Sequence, residues 1–208
     1  MVYSLVIGIL VSYLLGNLNG AVCISALMHD DVRSHGSGNA GLTNFIRNFG
    51  IGRALYVVLI DAGKAVLSCL VTGLLMKPYG MESAGMAIGG LAVLTGHVFP
   101  ALLGFKGGKG ILSGLFVALV LDWRIGILIL AVFIVAYALT RYVSLGSVLG
   151  AITFGVMFVV LHHDNTIVMI CGITMALLTT FMHRENIGRL LKGQERKTDL
   201  FRKGDKQA

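Results

Sequence analysis

The chain has 208 residues, of which 56% are hydrophobic and only 13% charged. A soluble globular chain carries about a quarter charged residues. Half the expected charge is therefore missing, and the apolar residues gather in long runs, which points to an all-α, polytopic integral membrane protein. The net charge of +7 would suggest nucleic acid in a soluble protein. Here the basic residues flank apolar segments, which favours loops anchored at the cytoplasmic face over nucleic-acid binding.

In chain order, apolar segments fall at about 2–28, 53–76, 84–104, 110–121, 124–140, 143–161 and 166–182. Several reach the roughly 20 residues that a helix needs to cross a bilayer. The count is seven transmembrane helices. Segment 110–121 is short, a length that often marks a re-entrant or broken helix, so five spans plus half-inserted helices is the alternative. The first charge is Asp30, so the basic region of a cleavable signal peptide is missing and the first stretch is expected to stay as a span. The 28 glycines and two prolines suit closely packed membrane helices. Cys23, Cys69 and Cys171 each lie in an apolar segment, and neither their odd number nor their spacing suggests a disulfide framework or a metal site. No internal repeat is evident, and the chain reads as one domain, 1–208, with a basic tail from about residue 192.

Lysine and arginine set the orientation. Seven alternating spans put Arg33, Arg47, Arg53, Lys106, Lys109, Arg141 and the basic tail from Arg184 to Lys206 on one side, and only Lys77 and Arg124 on the other. The positive-inside rule then places the N-terminus outside and the C-terminus in the cytoplasm. The polar stretches at 30–53, 96–110 and 183–203 all fall on the cytoplasmic face, and the outer loops are short and chemically plain.

The first polar stretch runs from Ser34 to Arg47 and includes Ser37, Asn39, Thr43 and Asn44 among glycines. Its hydroxyls and amides can orient oxygens, and the Arg47 guanidinium can clamp a phosphate bidentately. A plain loop capping a helix at Ser37 or Asn39 is the competing reading.

The second stretch joins Gly96-His97-Val98-Phe99-Pro100 to Phe105-Lys106-Gly107-Gly108-Lys109-Gly110. Glycines let backbone N–H groups approach an anion, and lysines neutralise it. A nucleotide-binding P-loop reads G-x-x-x-x-G-K-[ST]. Around Gly108-Lys109, Leu103 takes the first glycine's place and Gly110 the hydroxyl's. The loop therefore suggests a phosphate without nucleotide hydrolysis, and no metal or cofactor is expected. Lys106 and Lys109 as positive-inside anchors explain the charges but not the glycines.

The third stretch, His183 to Leu191, puts His183 and Asn186 on one helical face, and a histidine can act as base or hydrogen-bond partner near neutral pH. Glu185 is expected to brace the loops against a basic partner. The tail from Lys192 to Lys206 reads as solvated charge near anionic lipid. Asp61 and Lys64, at helical spacing inside an apolar segment, read as a mutual pair. The outer His162-His163-Asp164 cluster reads as a solvated loop. Ser147 sits about one turn into its helix, where its hydroxyl can reach a buried polar ligand.

Taken together, Ser37-Gly38-Asn39-Ala40-Gly41-Leu42-Thr43-Asn44 with Arg47, then Gly96–Pro100 and Phe105–Gly110, then His183-Arg184-Glu185-Asn186-Ile187 with Arg189-Leu190-Leu191 resemble the motifs of the bacterial acyl-phosphate:glycerol-3-phosphate acyltransferase family. Order and spacing agree over nearly the whole chain, and Leu42 departs from the expected alanine. The resemblance implies transfer of a fatty acyl group from acyl-phosphate to the 1-hydroxyl of glycerol 3-phosphate, giving lysophosphatidic acid at the start of phospholipid synthesis. It implies a multi-pass protein of the bacterial plasma membrane with its site facing the cytoplasm. Its partners would be the two substrates, membrane lipid and the acyl-phosphate-forming enzyme. No histidine is followed five positions later by aspartate, so the His-x4-Asp pattern of other glycerophosphate acyltransferases is absent.

On that resemblance, Ser37, Arg47, Lys109, His183 and Asn186 are expected to surround glycerol 3-phosphate as the catalytic set. Asn39, Thr43, Asn44, His97, Lys106, Gly107, Gly108, Gly110 and Ser147 are expected to bind substrate, with Glu185 structural. The donor is a mixed anhydride with a good leaving group, so no covalent intermediate is required. A transporter of a phosphorylated metabolite is the alternative; it would want charge near the membrane midplane and access from both sides.

Overall fold

The computed structural model describes residues 1–198; the end of the basic tail lies outside the described residues. Those residues form ten α-helices and no strand. This is what a chain must do in hydrocarbon, where every backbone N–H and C=O has to be satisfied within its own segment.

Helix α1 (Val2–Asn17) bends by 46° into α2 (Gly20–Ala26). A surface helix α3 (Leu42–Phe49) leads into α4 (Ile51–Met76), which pairs with α5 (Glu82–Val98). Then come α6 (Ile111–Leu121), α7 (Trp123–Thr140), α8 (Val143–Leu161), α9 (Thr166–Met182) and α10 (Arg184–Leu191), the last two bent by 57°. All seven predicted apolar segments are helical, and they differ in length. Four are single helices of spanning length, two are the bent pairs, and α6 is too short. At 1.5 Å per residue, the 11 residues of α6 cover roughly 16 Å, about half of a 30 Å hydrocarbon core.

Two features position the site. At the α1–α5 crossing the backbones touch: a Cβ on Gly16 would lie 2.4 Å from the Val93 carbonyl oxygen, and one on Gly96 would lie 2.2 Å from that of Tyr13. Any side chain there would push the second polar stretch, at the end of α5, away from the first. Secondly, Asp122 caps α7 and also ends α6. The two helices are therefore level at that end, and the shorter α6 begins roughly 10 Å below the far end of α7. Lys109, just before α6, is recessed into the bundle.

The packing sorts into a large core of α4–α9, including Leu94, Val117, Phe154, Phe158 and Met175, and a small one in which Val32 and Phe45 pack on Ala54 and Val57. The small core seats α3 and its preceding loop on α4. Outward, Leu55, Leu59, Leu74, Ile134 and Leu139 remain exposed, as expected of surface meant for lipid tails. Cys69 and Cys171 are buried and unpaired, as packing residues. At the end away from the polar stretches, His162 lies 3.3 Å from Asp122 and stacks on Phe158. His162 is thus partly folded into the bundle rather than solvated.

Candidate active site

The three polar stretches meet at one end of the bundle around a cavity of about 650 Å³. Each stretch is built differently. In the first, Asn44 organises the loop. Its Nδ2 donates to the carbonyls of Val32 (2.9 Å), His35 (3.0 Å) and Asn39 (3.1 Å), and its Oδ1 accepts the Ser37 N–H at 3.1 Å. Asn44 reaches the cavity wall, but its polar atoms are spent on scaffolding. Ser37, Asn39, Thr43 and Arg47 line the cavity from the loop and helix that it holds. Asn19, in the break between α1 and α2, ties the same loop down by donating to the Ala40 carbonyl at 2.9 Å.

The second stretch differs from expectation. Lys109 and Gly110 line the cavity; Lys106, Gly107 and Gly108 do not. Lys106 is exposed. The two glycines lie against the C-terminal end of α5: a Cβ on Gly107 would sit 2.0 Å from the His97 carbonyl oxygen, and one on Gly108 would sit 2.2 Å from His97 Nε2. The Gly108 N–H donates to that same carbonyl at 3.1 Å. Glycine is required here for close approach to protein rather than to an anion.

His97 is a wall residue committed to a buried charge cluster. Its Nδ1 accepts from Lys64 Nζ at 2.8 Å, and that ammonium lies 2.7 Å from Asp61 and donates to the Leu18 carbonyl at 2.7 Å. Asp61 also accepts the Gly20 N–H at 3.2 Å. The predicted Asp61–Lys64 pair is present, and it satisfies backbone groups that the break between α1 and α2 leaves open.

In the third stretch, His183 Nδ1 lies 2.8 Å from the Thr179 carbonyl. A carbonyl only accepts, so Nδ1 carries the hydrogen and Nε2 of the neutral ring is an acceptor. Asn186 is buried and accepts from Lys109 Nζ through Oδ1. Glu185, the expected brace, is exposed at the rim. Arg189 is instead paired by Glu195, at 2.7 Å.

First-turn residues of α3, α6 and α10 all line the cavity, and none of these helices has a side-chain cap. Uncapped helix N-termini present free N–H groups and partial positive charge. Arg47, Lys109 and Arg189 add full charges. Burial, and after it the Arg189 cation, pull the Lys109 amine below its ordinary pKa; burial does the same to Arg47, helped by Arg196. Below this polar end the cavity continues between helices. Along α8 its wall runs from Ser144 and Ser147 to Ala151 and Phe154, a descent of roughly 15 Å. Leu94, Ile129 and Met175 also line it. Leu130, also in the wall, is 43% exposed.

The family model for glycerol-3-phosphate acyltransferase matches residues 6–193. The chain belongs to the glycerol-3-phosphate acyltransferase family. A glycerol-3-phosphate acyltransferase of Thermoanaerobacter sp. (strain X514) is 38% identical over 189 residues, 90% of this chain and 92% of the relative. That of Finegoldia magna is 38% identical over 196 residues, 94% and 96% of the two chains. Two crystal structures of PlsY (YgiH), an integral membrane glycerol 3-phosphate acyltransferase, superpose closely. Its glycerol 3-phosphate form has a TM-score of 0.84 at 32% identity over 94% of this chain and 96% of the other. Its lysophosphatidic acid form has a TM-score of 0.83 at 31% identity over 95% and 96%.

Against the family motifs, the residues that sequence reasoning missed are Asp61 in the wall and Glu195 and Arg196 at the mouth. The tail was expected to be solvated, yet residues 194–198 fold back over the site. Thr198 accepts from Arg47, 151 positions away. A run of charges carries no local signal for such a contact.

Proposed function

We propose that this chain transfers a fatty acyl group from acyl-phosphate to the 1-hydroxyl of glycerol 3-phosphate, releasing lysophosphatidic acid and phosphate. The deciding observation is one cavity whose polar end gathers Arg47, Lys109 and three uncapped helix N-termini, and whose other end is an apolar arm inside the bundle. A phosphate and a fatty chain fit that pairing of surfaces. A transporter of a polar metabolite has no use for the arm.

In this reading Ser37, Arg47, Lys109, His183 and Asn186 surround glycerol 3-phosphate. Asn39, Thr43, Ser147 and the start of α6 at Gly110 hold the acyl-phosphate head, with the chain in the arm and its exit past Leu130. His183 Nε2 accepts from the 1-hydroxyl and aims its oxygen. That oxygen bonds to the acyl carbon, the bond from this carbon to the phosphate oxygen breaks, and the hydroxyl proton ends on the departing phosphate. The main obstacle is repulsion between two phosphorylated substrates, which fixed cations and helix N-termini offset without reorganisation; positioning supplies much of the rest. The mouth faces the cytoplasm of a bacterial plasma membrane, by the charge bias of its loops. The acyl-phosphate-forming enzyme would deliver donor there, and crosslinking from exposed Lys106 tests that contact: no adduct with that enzyme would count against it.

The experiment is direct. Purified protein in detergent, given palmitoyl-phosphate and glycerol 3-phosphate, is expected to form lysophosphatidic acid, and Arg47→Ala to lose at least about tenfold in kcat/KM, the worth of one charge-assisted hydrogen bond. No product from the unaltered protein would end the reading; full activity in Arg47→Ala would end the site assignment.

A further inference from the structure

The segment 194–198 leaves α10 and crosses the cavity mouth, and it is tied down at both ends. Glu195, with its side chain 8% exposed, accepts from Asn186 Nδ2 at 2.9 Å and from Arg189 Nε at 2.7 Å. Thr198 accepts from Arg47 on α3 through its hydroxyl, and from the Tyr137 hydroxyl of α7 through its carbonyl at 3.0 Å. Its N–H donates to the Arg141 carbonyl at 3.0 Å, in the turn between α7 and α8. The match to the family model ends at Gly193, so these contacts lie outside it.

The chemistry of the Asn186 contact is directional. A primary amide has one accepting and one donating end, and rotation exchanges them. An ionised carboxylate only accepts, so the end that faces Glu195 must be Nδ2. Oδ1 then faces the opposite way and receives the Lys109 ammonium. Rotated, the amide would set Nδ2 against that cation, donor against donor. The carboxylate stays charged: burial works to raise its pKa, but hydrogen bonds from Asn186 and Arg189, a contribution from Ser144 and the Arg189 charge overcome this and lower it.

We propose that Glu195 is a positioning residue of the acyl-transfer site: its carboxylate sets the Asn186 amide so that Oδ1 holds Lys109 in place, and the 194–198 strap carries it there. This rests on the reading of the cavity as the glycerol 3-phosphate site. Glu195 acts through Asn186 and Arg189 and need not touch substrate, so its removal should weaken acceptor binding first.

The test measures steady-state kinetics of full-length protein in detergent, with palmitoyl-phosphate and glycerol 3-phosphate varied separately, alongside thermal melting. Glu195→Ala should raise KM for glycerol 3-phosphate by about tenfold, the worth of one hydrogen bond to a charged group, with KM for the donor and the melting temperature little changed. Glu195→Gln still accepts from Asn186 but loses the Arg189 pair, so a smaller rise is expected. In an Asn186→Ala background, Glu195→Ala should add almost nothing, because the residue it positions is gone. Wild-type kinetics in Glu195→Ala would overturn the proposal. So would a lowered KM or raised turnover, which would make the strap a plug that substrate displaces. Additive losses in the double variant, or melting of both single variants below assay temperature, would make the role structural and also overturn it. Each kinetic outcome requires an active unaltered protein, and the melting outcome is read without activity, so all are distinct from failure of the functional reading itself.

Discussion

Removing Lys64 should cost more stability than any other single change of charge in this protein. Its ammonium lies 2.7 Å from Asp61 and 2.8 Å from His97 Nδ1, and also donates to the carbonyls of Leu18 (2.7 Å) and Gly16 (3.3 Å). Lys64→Met keeps most of the apolar stem and deletes the charge. It strands the Asp61 carboxylate, 2% exposed, with the Gly20 N–H at 3.2 Å and, farther off, His97 Nδ1 at 3.7 Å. Breaking a buried pair by removing one partner costs about 3–5 kcal/mol. For a chain of this length, about 2–4 °C per kcal/mol makes that a fall of roughly 6–20 °C in melting temperature. Asp61→Asn with Lys64→Met removes both charges yet leaves an oxygen for Gly20, and should recover more than half of the loss. Thermal melting in detergent, read by tryptophan fluorescence or light scattering, distinguishes the cases. A single variant that melts with the unaltered protein, or a double variant as damaged as the single one, would refute the claim that this cluster holds the break between α1 and α2.

Three further outcomes are expected. Because burial and Arg189 hold the Lys109 pKa below its ordinary value, the amine loses its proton at lower pH than a free lysine. The kcat/KM should therefore decline as pH rises through that lowered value, and Lys109→Arg, which stays protonated, should move the alkaline limb upward; an unmoved limb removes Lys109 as the titrating group. Ala151 lies in the apolar arm about one turn below Ser147, so Ala151→Leu should shift preference from palmitoyl-phosphate toward shorter donors, read as the ratio of kcat/KM values. Equal losses for all chain lengths would show that the arm does not hold the chain. For orientation, cysteine placed at Lys192 should be shielded from an impermeant thiol reagent in intact cells and cysteine at Lys77 labelled; the reverse pattern would invert the topology.

The sequence alone determined that this is a helical membrane protein, because period-free apolar runs can satisfy their backbones in lipid only as helices. It also determined which three stretches carry the polar chemistry, since hydroxyls, amides and cations interrupting such runs are costly without a use. Three matters were decided only by the tertiary structure, two through contacts within a folded loop and one through a contact between residues distant in sequence. The glycines at 107 and 108 pack on His97 rather than on a ligand. Asn44 spends its side chain holding its own loop. The tail supplies Glu195 and Thr198 to a mouth built more than 100 residues earlier by Arg47. Local pattern reports what a residue can donate, accept or bury; which partner takes up that capacity depends on where the bundle brings the ends of α3, α6 and α10.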